Sequence, residues 1–527
     1  MNFKKKNIHF LTLITAYSLF IIIVFNYDIF IELDQFFLKA GKHTEIFENF
    51  FYLLIFLVLF LYLFIFLIIF GIRPLLKPLI SFLLITSSFL FYFKNVYGVS
   101  VHENIILSFV DAITEKNLSE ITDLLSLKLL LYILIFGVLP SLTLLLFNVN
   151  YPSIKKEYFI RISSVLSLFV IIIGLVAFNY KGVSLTIREN KEINDKSIPH
   201  YYMMSLFNIA KDSIKPKQKF LSLKNQTNIL EPNKKITGII VLGETARADF
   251  FSLNGYADNT NPNLSKMDIV NYSNAYSCGT LTKISLPCMF YLGDYENFSV
   301  KKARNQTNLL DIILSTKTDV SWLDNNSGCK HVCDRVKTIE LSSEDKTNYD
   351  EILLSYVDQM ILESRNQRNL IILHTSGSHG PKYYKRYPDT FEVFKPTCKS
   401  NNPQVCSKKY LINTYKNTIL YTDYFLSVLI KRLEELDHET FMIYASDHGE
   451  SLGEHGLYLH GVPRKIAPKE QIHIPWVMWF SDEYKKNNKL NFLKEDTEIT
   501  HEFFPYTILK ALKIESTLFN PNKSLIN

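Results

Sequence analysis

Charge is scarce in this 527-residue chain: Asp, Glu, Lys and Arg together make up only 20% of it. With 57 basic against 51 acidic residues the net charge is +6, too small to support a nucleic-acid-binding surface. Disorder is excluded as well, because it needs few apolar residues and 48% of this chain is hydrophobic. Cysteine is absent from the first half, all six lying between Cys278 and Cys406. There is no internal repeat and no low-complexity tract. What is plentiful is aromatic, with 40 Phe and 30 Tyr that crowd the first third. Single soluble cores stop growing at about 250–300 residues. Length and composition together therefore predict a membrane anchor joined to a soluble domain.

A bilayer core about 30 Å thick needs roughly 20 apolar residues in a helix. Five segments qualify: Ile8–Tyr27, Phe50–Ile72, Pro78–Phe93, Leu129–Val149 and Ile162–Tyr180. The third is extended by Leu75 and Leu76, with Lys77 snorkelling to the headgroups. Lys4, Lys5 and Lys6, then Arg73 and Lys77, then Lys155, Lys156 and Arg161 mark the cytoplasmic ends. An odd number of spans puts the N-terminus in the cytoplasm and everything after Tyr180 outside it. No small-residue cleavage site follows the first span, where Asn26-Tyr27-Asp28 stands. The spans lack paired charges along a pathway, which argues against a channel or transporter. The expected division is residues 1–180 as a five-helix transmembrane domain, 181–235 as a linker and 236–527 as a soluble domain. Within the linker, the aromatic stretch Ile198–Ala210 suits an interfacial helix.

The cysteines fall into three short pairs, Cys278 with Cys288, Cys329 with Cys333 and Cys398 with Cys406. None has C-x-x-C spacing, so disulfides in an oxidising compartment are preferred to zinc knuckles. From Ile236 onward, short β-branched runs (Ile236–Leu242, Leu370–Leu373, Phe441–Tyr444) alternate with helical stretches (Thr307–Ser315, Tyr349–Asn366, Asn413–Glu435). That alternation predicts an α/β domain with a largely parallel sheet.

Ligands in such sheets bind beyond the carboxyl ends of the strands. Those ends carry Glu244, then His374 and His379, then Asp447, His448, Glu450, His455 and His460. Carboxylates and imidazoles gathered there point to a divalent metal of the zinc type. Thr280, in Ser277-Cys278-Gly279-Thr280, is the nucleophile candidate, with helix N-cap as its plainer alternative. A threonine hydroxyl needs a base or metal to become nucleophilic, which ties Thr280 to the metal argument.

Together these segments resemble the phosphoethanolamine transferases of Gram-negative inner membranes, the lipid A-modifying family that includes the mobile colistin-resistance enzymes. The matching residues are Gly243-Glu244-Thr245-Ala246-Arg247, Ser277-Cys278-Gly279-Thr280, Leu286-Pro287-Cys288-Met289-Phe290 and Asp324-Asn325-Asn326-Ser327. Gly377-Ser378-His379-Gly380-Pro381, Arg386-Tyr387-Pro388 and Ser446-Asp447-His448-Gly449-Glu450-Ser451-Leu452-Gly453-Glu454 complete the match. The resemblance implies an alkaline-phosphatase or sulfatase-like domain with zinc held by Glu244, Thr280, Asp447 and His448. It implies that Thr280 takes phosphoethanolamine from phosphatidylethanolamine and passes it to lipid A. It assigns substrate-pocket roles to Asn326, Ser327, Lys330, His379 and His460, with His379 as a general acid and Glu450 assisting the metal site. A second zinc would use His379 and His460. The implied enzyme is a periplasm-facing, multi-pass inner-membrane monomer whose activity gives polymyxin resistance.

Two features depart from the family pattern. Leu281 and Lys283 stand where small or polar residues are common, and Lys283 is expected to face solvent. His501-Glu502-Phe503 replaces the usual His-Asp-Asn. The alternatives weighed are a phosphoglycerol transferase, a sulfatase-like hydrolase and a non-enzymatic headgroup-binding membrane protein. A sulfatase would need Cys or Ser in a C/S-x-P-x-R context, which the nucleophile motif lacks.

Overall fold

In the computed structural model, residues 5–31, 45–98, 101, 105–107, 109–110, 124–178, 196–214, 220–223, 226–293, 295–341, 349–400 and 403–526 are described. They divide into two compact units, Met1–Leu107 with Leu125–Pro216, and Ser108–Leu124 with Lys217–Asn527.

Among the described residues the first unit contains five apolar helices: α1 (Phe10–Phe25), α2 (Glu45–Phe70), α3 (Leu76–Tyr97), α4 (Leu127–Leu146) and α5 (Ile154–Phe178). Four of these are long and apolar enough to cross a membrane, and α1 is a shorter apolar helix. The helix limits differ from the expected spans at several ends. Lys6–His9 (β1) and Phe147–Asn150 (β2) leave the helices and pair as parallel strands, so the first span starts at Phe10 and the fourth ends at Leu146. The fifth helix begins at Ile154 instead of Ile162, with Glu157 and Arg161 paired on its first turns. Glu157 sits 2.7 Å from Arg161 and 3.0 Å from Arg73, and Arg161 also donates to the Gly71 carbonyl at 3.1 Å. The expected end of the fifth span, Tyr180, lies outside the described residues. Within α4 one turn widens to a π-helix over Ile133–Val138. A Cβ on Gly137 in that turn would come within 2.7 Å of Ser88 Oγ, so only glycine lets α4 approach α3 this closely.

Helix α3 runs past the expected limit of Phe93 to Tyr97, carrying Lys94. The buried Lys94 ammonium donates to Asp28 at 2.8 Å and to the Phe25 carbonyl at 2.9 Å. The α1 C-cap residue, Asn26, exchanges two 2.7 Å hydrogen bonds with the backbone of Ile198. They tie the residues just before helix α6 (His200–Ile214) to the end of α1.

The second unit opens with a short strand, β3 (Thr227–Ile229), and is built on an eight-stranded sheet. Its strands are β4 (Ile236–Gly243), β5 (Ile269–Tyr276), β6 (Asp319–Asp324), β7 (Lys337–Glu340), β8 (Arg368–His374), β9 (Glu439–Ser446), β10 (His473–Phe480) and β11 (Ile499–Thr500). Across the sheet the order is β11-β5-β10-β9-β4-β8-β6-β7, and only β10 runs antiparallel to its neighbours. Every residue of β4, β8 and β9 is buried, as expected for parallel strands covered on both faces. Alternate β4 residues serve opposite cores, Ile240 and Leu242 packing with Trp322 and Trp476, Ile239 and Val241 with Leu426 and Met442. Each such aliphatic side chain contributes about 1.5–3 kcal/mol by burial. The sheet therefore gives a rigid base for whatever follows its strands. The expected helices appear as Leu309–Leu314, Ile352–Glu363 and Lys408–Glu434. The three cysteine pairs are disulfides, Cys278–Cys288, Cys329–Cys333 and Cys398–Cys406.

Candidate active site

Register brings four neighbouring strands to an end together. Gly243 pairs with Ser446, Leu242 with His374 and His374 with Asp324, so Glu244 and Asp447 emerge side by side. The Asp447 N–H is bonded to the Gly243 carbonyl at 2.8 Å. Gly377, at φ +49°, lets the loop after β8 pass over Glu244; a Cβ there would meet the Glu244 backbone at 2.7 Å.

Glu244, Asp447 and His448 are fully buried and present ligand atoms all within 4.8 Å of one another. His448 Nδ1 lies 2.9 Å from the Gly449 carbonyl, which can only accept, so Nδ1 carries the hydrogen and Nε2 is a bare lone pair. Nε2 sits 3.5 Å from Glu244 Oε1 and 3.3 Å from Asp447 Oδ2. Both of those carboxylate oxygens are buried and have no hydrogen-bond partner. Burial and the neighbouring Asp447 charge push Glu244 up to about 7. Burial likewise raises Asp447 to about 7 and depresses His448 to about 4. Two orphaned carboxylate oxygens facing an imidazole lone pair are costly unless a cation joins them. Two oxygens and one imidazole nitrogen are a donor set that zinc accepts, with one position left for a further oxygen.

The residue nearest that position is Thr282. Its hydroxyl donates to Glu244 Oε2 at 3.0 Å and lies 3.5 Å from His448 Nε2. The hydroxyl of Thr280 instead donates to the Val462 carbonyl at 2.6 Å. The sequence expectation for Thr280 therefore needs correcting: the threonine that meets the carboxylate cluster is two residues further on. Helix α7 (Thr282–Met289) has Leu281 as its N-cap, so Thr280 is not the cap either. Thr282 is the first helical residue, and the helix start sets its direction. Lys283 is also not solvent-facing as expected; it is buried.

The remaining expected residues surround this centre. His460 is a second imidazole beside the cluster, its ring centroid 4.4 Å from His448 and 5.4 Å from His379. His460 Nδ1 is 3.3 Å from Glu450 Oε1, while burial pushes the Glu450 carboxyl up to about 8. Burial and the Arg386 guanidinium hold His379 well below the ordinary imidazole range, and Arg386 Nε donates to its carbonyl at 2.9 Å. Ser327 and Lys330 are buried on the loop after β6, the Lys330 ammonium donating to the Ser327 carbonyl. The Asn326 amide nitrogen donates to Glu244 Oε2 at 2.8 Å and to the Thr375 carbonyl at 2.9 Å.

His501 also belongs here, although the changed residues after it had reduced its expected weight. Its ring is buried, with Nε2 3.0 Å from the Ser446 carbonyl and Nδ1 accepting the Cys278 N–H at 3.3 Å. It thereby ties the disulfide-bridged Cys278 turn to the end of β9. No local pattern reveals this contact, because 223 residues separate its partners.

Comparison with known proteins agrees with this architecture. The Sulfatase family model matches residues 237–514, and the model for phosphoethanolamine transferase EptA/EptB matches residues 59–214. The phosphoethanolamine transferase EptA of Escherichia coli (strain K12) is 34% identical over 447 residues, 81% of this chain and 80% of that protein. The phosphatidylethanolamine transferase Mcr-1 of Escherichia coli is 35% identical over 463 residues, 83% of this chain and 84% of that one. The integral membrane lipooligosaccharide phosphoethanolamine transferase A (EptA) of Neisseria meningitidis superposes with a TM-score of 0.89 at 31% identity, covering 98% of each chain.

Proposed function

The chain belongs to the phosphoethanolamine transferase family, and we propose that it moves phosphoethanolamine from phosphatidylethanolamine to lipid A through Thr282. The observation that carries this is the Thr282 hydroxyl, held on Glu244 Oε2 beside the Asp447 and His448 donor atoms. Thr282 Oγ attacks phosphorus, and the bond from phosphorus to the diacylglycerol oxygen breaks. Diacylglycerol leaves with a proton, and Thr282 carries the phosphoethanolamine. An oxygen of a lipid A phosphate or sugar then attacks the same phosphorus and frees Thr282. Two such displacements predict ping-pong kinetics.

Glu244, Asp447 and His448 would hold zinc, which when bound lowers the pKa of the threonine hydroxyl and offsets charge on the phosphoryl oxygens. Ser327, Lys330 and His460 line the approach to phosphorus, and the Lys330 ammonium offsets the charge of the diester. Burial makes His379 a neutral imidazole, which suits accepting a hydrogen bond better than supplying a proton. Glu450, protonated near neutrality, is the better proton source for the leaving alkoxide, through its contact with His460. The proposed topology has a cytoplasmic N-terminus, a five-helix domain over residues 1–180, a linker over 181–235 with α6 at the membrane surface, and a periplasmic domain over 236–527. Polymyxin resistance follows where lipid A gains the cationic group.

Mass spectrometry of lipid A from cells with and without the protein tests this. Added phosphoethanolamine that disappears with Thr282→Ala is the expected result. Added phosphoglycerol would identify a different donor, and unmodified lipid A would remove the acceptor assignment.

A further inference from the structure

Behind the cluster lies a buried pair that the transfer steps do not use. Asp324 ends β6 and His374 ends β8, and the two are register partners. Asp324 Oδ1 accepts the N–H groups of Asn326 at 2.9 Å and Gly328 at 3.1 Å. Its Oδ2 accepts the Trp322 indole N–H at 2.8 Å and lies 2.9 Å from His374 Nδ1. Burial alone would raise this carboxyl, but His374 and the other donors outweigh it and hold Asp324 at about 2. An ionised carboxylate only accepts hydrogen bonds, so His374 Nδ1 carries the hydrogen.

Burial opposes a charge on His374, but the Asp324 carboxylate outweighs it and raises its pKa; in the neutral ring the acceptor is Nε2. It lies 3.2 Å from Asn326 Nδ2, and the other neighbours of that nitrogen are Glu244 Oε2 and the Thr375 carbonyl. The Glu244 carboxylate and the Thr375 carbonyl can only accept, which identifies this atom as the NH₂ end of the amide and makes Nε2 the acceptor beside it. The same amide therefore holds one oxygen of Glu244, while the other, Oε1, is the unpartnered atom that faces His448.

We propose that Asp324 and His374 are positioning residues for the metal centre, fixing the Asn326 amide so that it orients Glu244 toward the cation. The proposal rests on the metal-dependent reading above, and it gives Asn326 a role on the ligand in place of one on the substrate. Reversing the His374 tautomer breaks the chain of contacts. If Nε2 carries a hydrogen, it faces the Asn326 NH₂ donor to donor. The amide then turns over, its oxygen meets Glu244 Oε2, and the Glu244 carboxylate loses its neutral donor.

Asp324→Asn forces that reversal at nearly constant volume. An NH₂ group in the place of Oδ2 makes Nδ1 the acceptor and leaves the hydrogen on Nε2. Hydrogen-bond partners behind metal ligands typically change metal affinity by about 10–100-fold when removed. The experiment is a chelator-competition titration of zinc into the metal-stripped full-length protein, for wild type, D324N, H374A and the D324N/H374A double variant. Wild type is expected to bind zinc tightly, and D324N and H374A about 10–100-fold more weakly. The double variant is expected to be no weaker than the weaker single variant, since both changes act through one imidazole. If D324N binds zinc like wild type, or if the two losses multiply, the proposal is overturned. If wild type itself binds no zinc, it is the metal-dependent reading that fails. N326A removes the amide at a half-buried position and tests the same link if D324N does not fold. Wild-type zinc affinity in N326A would equally overturn the proposal.

Discussion

The Thr282 hydroxyl is 3.0 Å from Glu244 Oε2, on the first turn of a helix whose next residue, Lys283, is buried. Two residues earlier, Thr280 is bound to the carbonyl of Val462. The two threonines therefore predict different outcomes. Thr282→Ala should abolish transfer while the protein still folds and inserts. Thr280→Ala should lose one hydrogen bond, about 1 kcal/mol of stability, and keep activity within about tenfold of wild type. Transfer assays on both purified variants check this, and equal loss in both would contradict it.

Much of this protein is legible in its sequence. Long uncharged apolar runs announce the helices of the first unit, and continuous β-branched runs announce β4, β8 and β9. The antiparallel β10, His473–Phe480, is less legible because its two Trp and one Pro give no clean period. Glu244, Asp447 and His448 stand out because they directly follow buried strands. Choosing between Thr280 and Thr282 depends on where the helix begins, which spacing fixes only to within a residue or two. Asp324 and His374 meet across 50 residues of sequence, so no local pattern pairs them. The early start of α5 is also less legible, because it depends on Glu157 bridging Arg73 and Arg161.

The metal-free protein should lose stability as pH rises from about 7.5 to 8.5. In that interval the imidazoles that burial depresses, among them His379, His448 and His501, are almost entirely neutral in folded and unfolded chains alike, because an unfolded imidazole titrates near 6.5. Glu244 and Asp447, raised to about 7, and Glu450, raised to about 8, bind more protons folded than unfolded. Raising the pH removes those protons and disfavours the fold. Bound zinc reverses the sign for its ligands by favouring their charged forms. Thermal melts of stripped and zinc-loaded protein at both pH values check this. A stripped protein that melts higher at pH 8.5 than at 7.5 would contradict it.

The disulfides should differ in what they support. Cys278–Cys288 spans 10 positions and encloses Thr282, whereas Cys398–Cys406 spans 8 and encloses no residue of the site. Loop-closure entropy assigns similar stabilities to the two, about 2–3 kcal/mol each. Replacing either pair with serine should therefore lower the melting temperature comparably. Only the Cys278/Cys288 double variant should also lose most of its transfer activity, because its loop positions the hydroxyl. Melting curves and rates measured side by side test this, and full activity without that bridge would contradict it.

Topology predicts opposite accessibility for the two ends of the chain. A tag before Met1 should resist protease in spheroplasts, and a tag after Asn527 should be digested. Protection of the C-terminal tag would reverse the assigned direction.

The most direct test of the account is peptide mass spectrometry of the full-length protein, incubated with phosphatidylethanolamine in the absence of acceptor. Phosphoethanolamine on Thr282 that disappears when lipid A is added is the predicted result. An adduct on Thr280, or no adduct in a preparation that modifies lipid A, would contradict it.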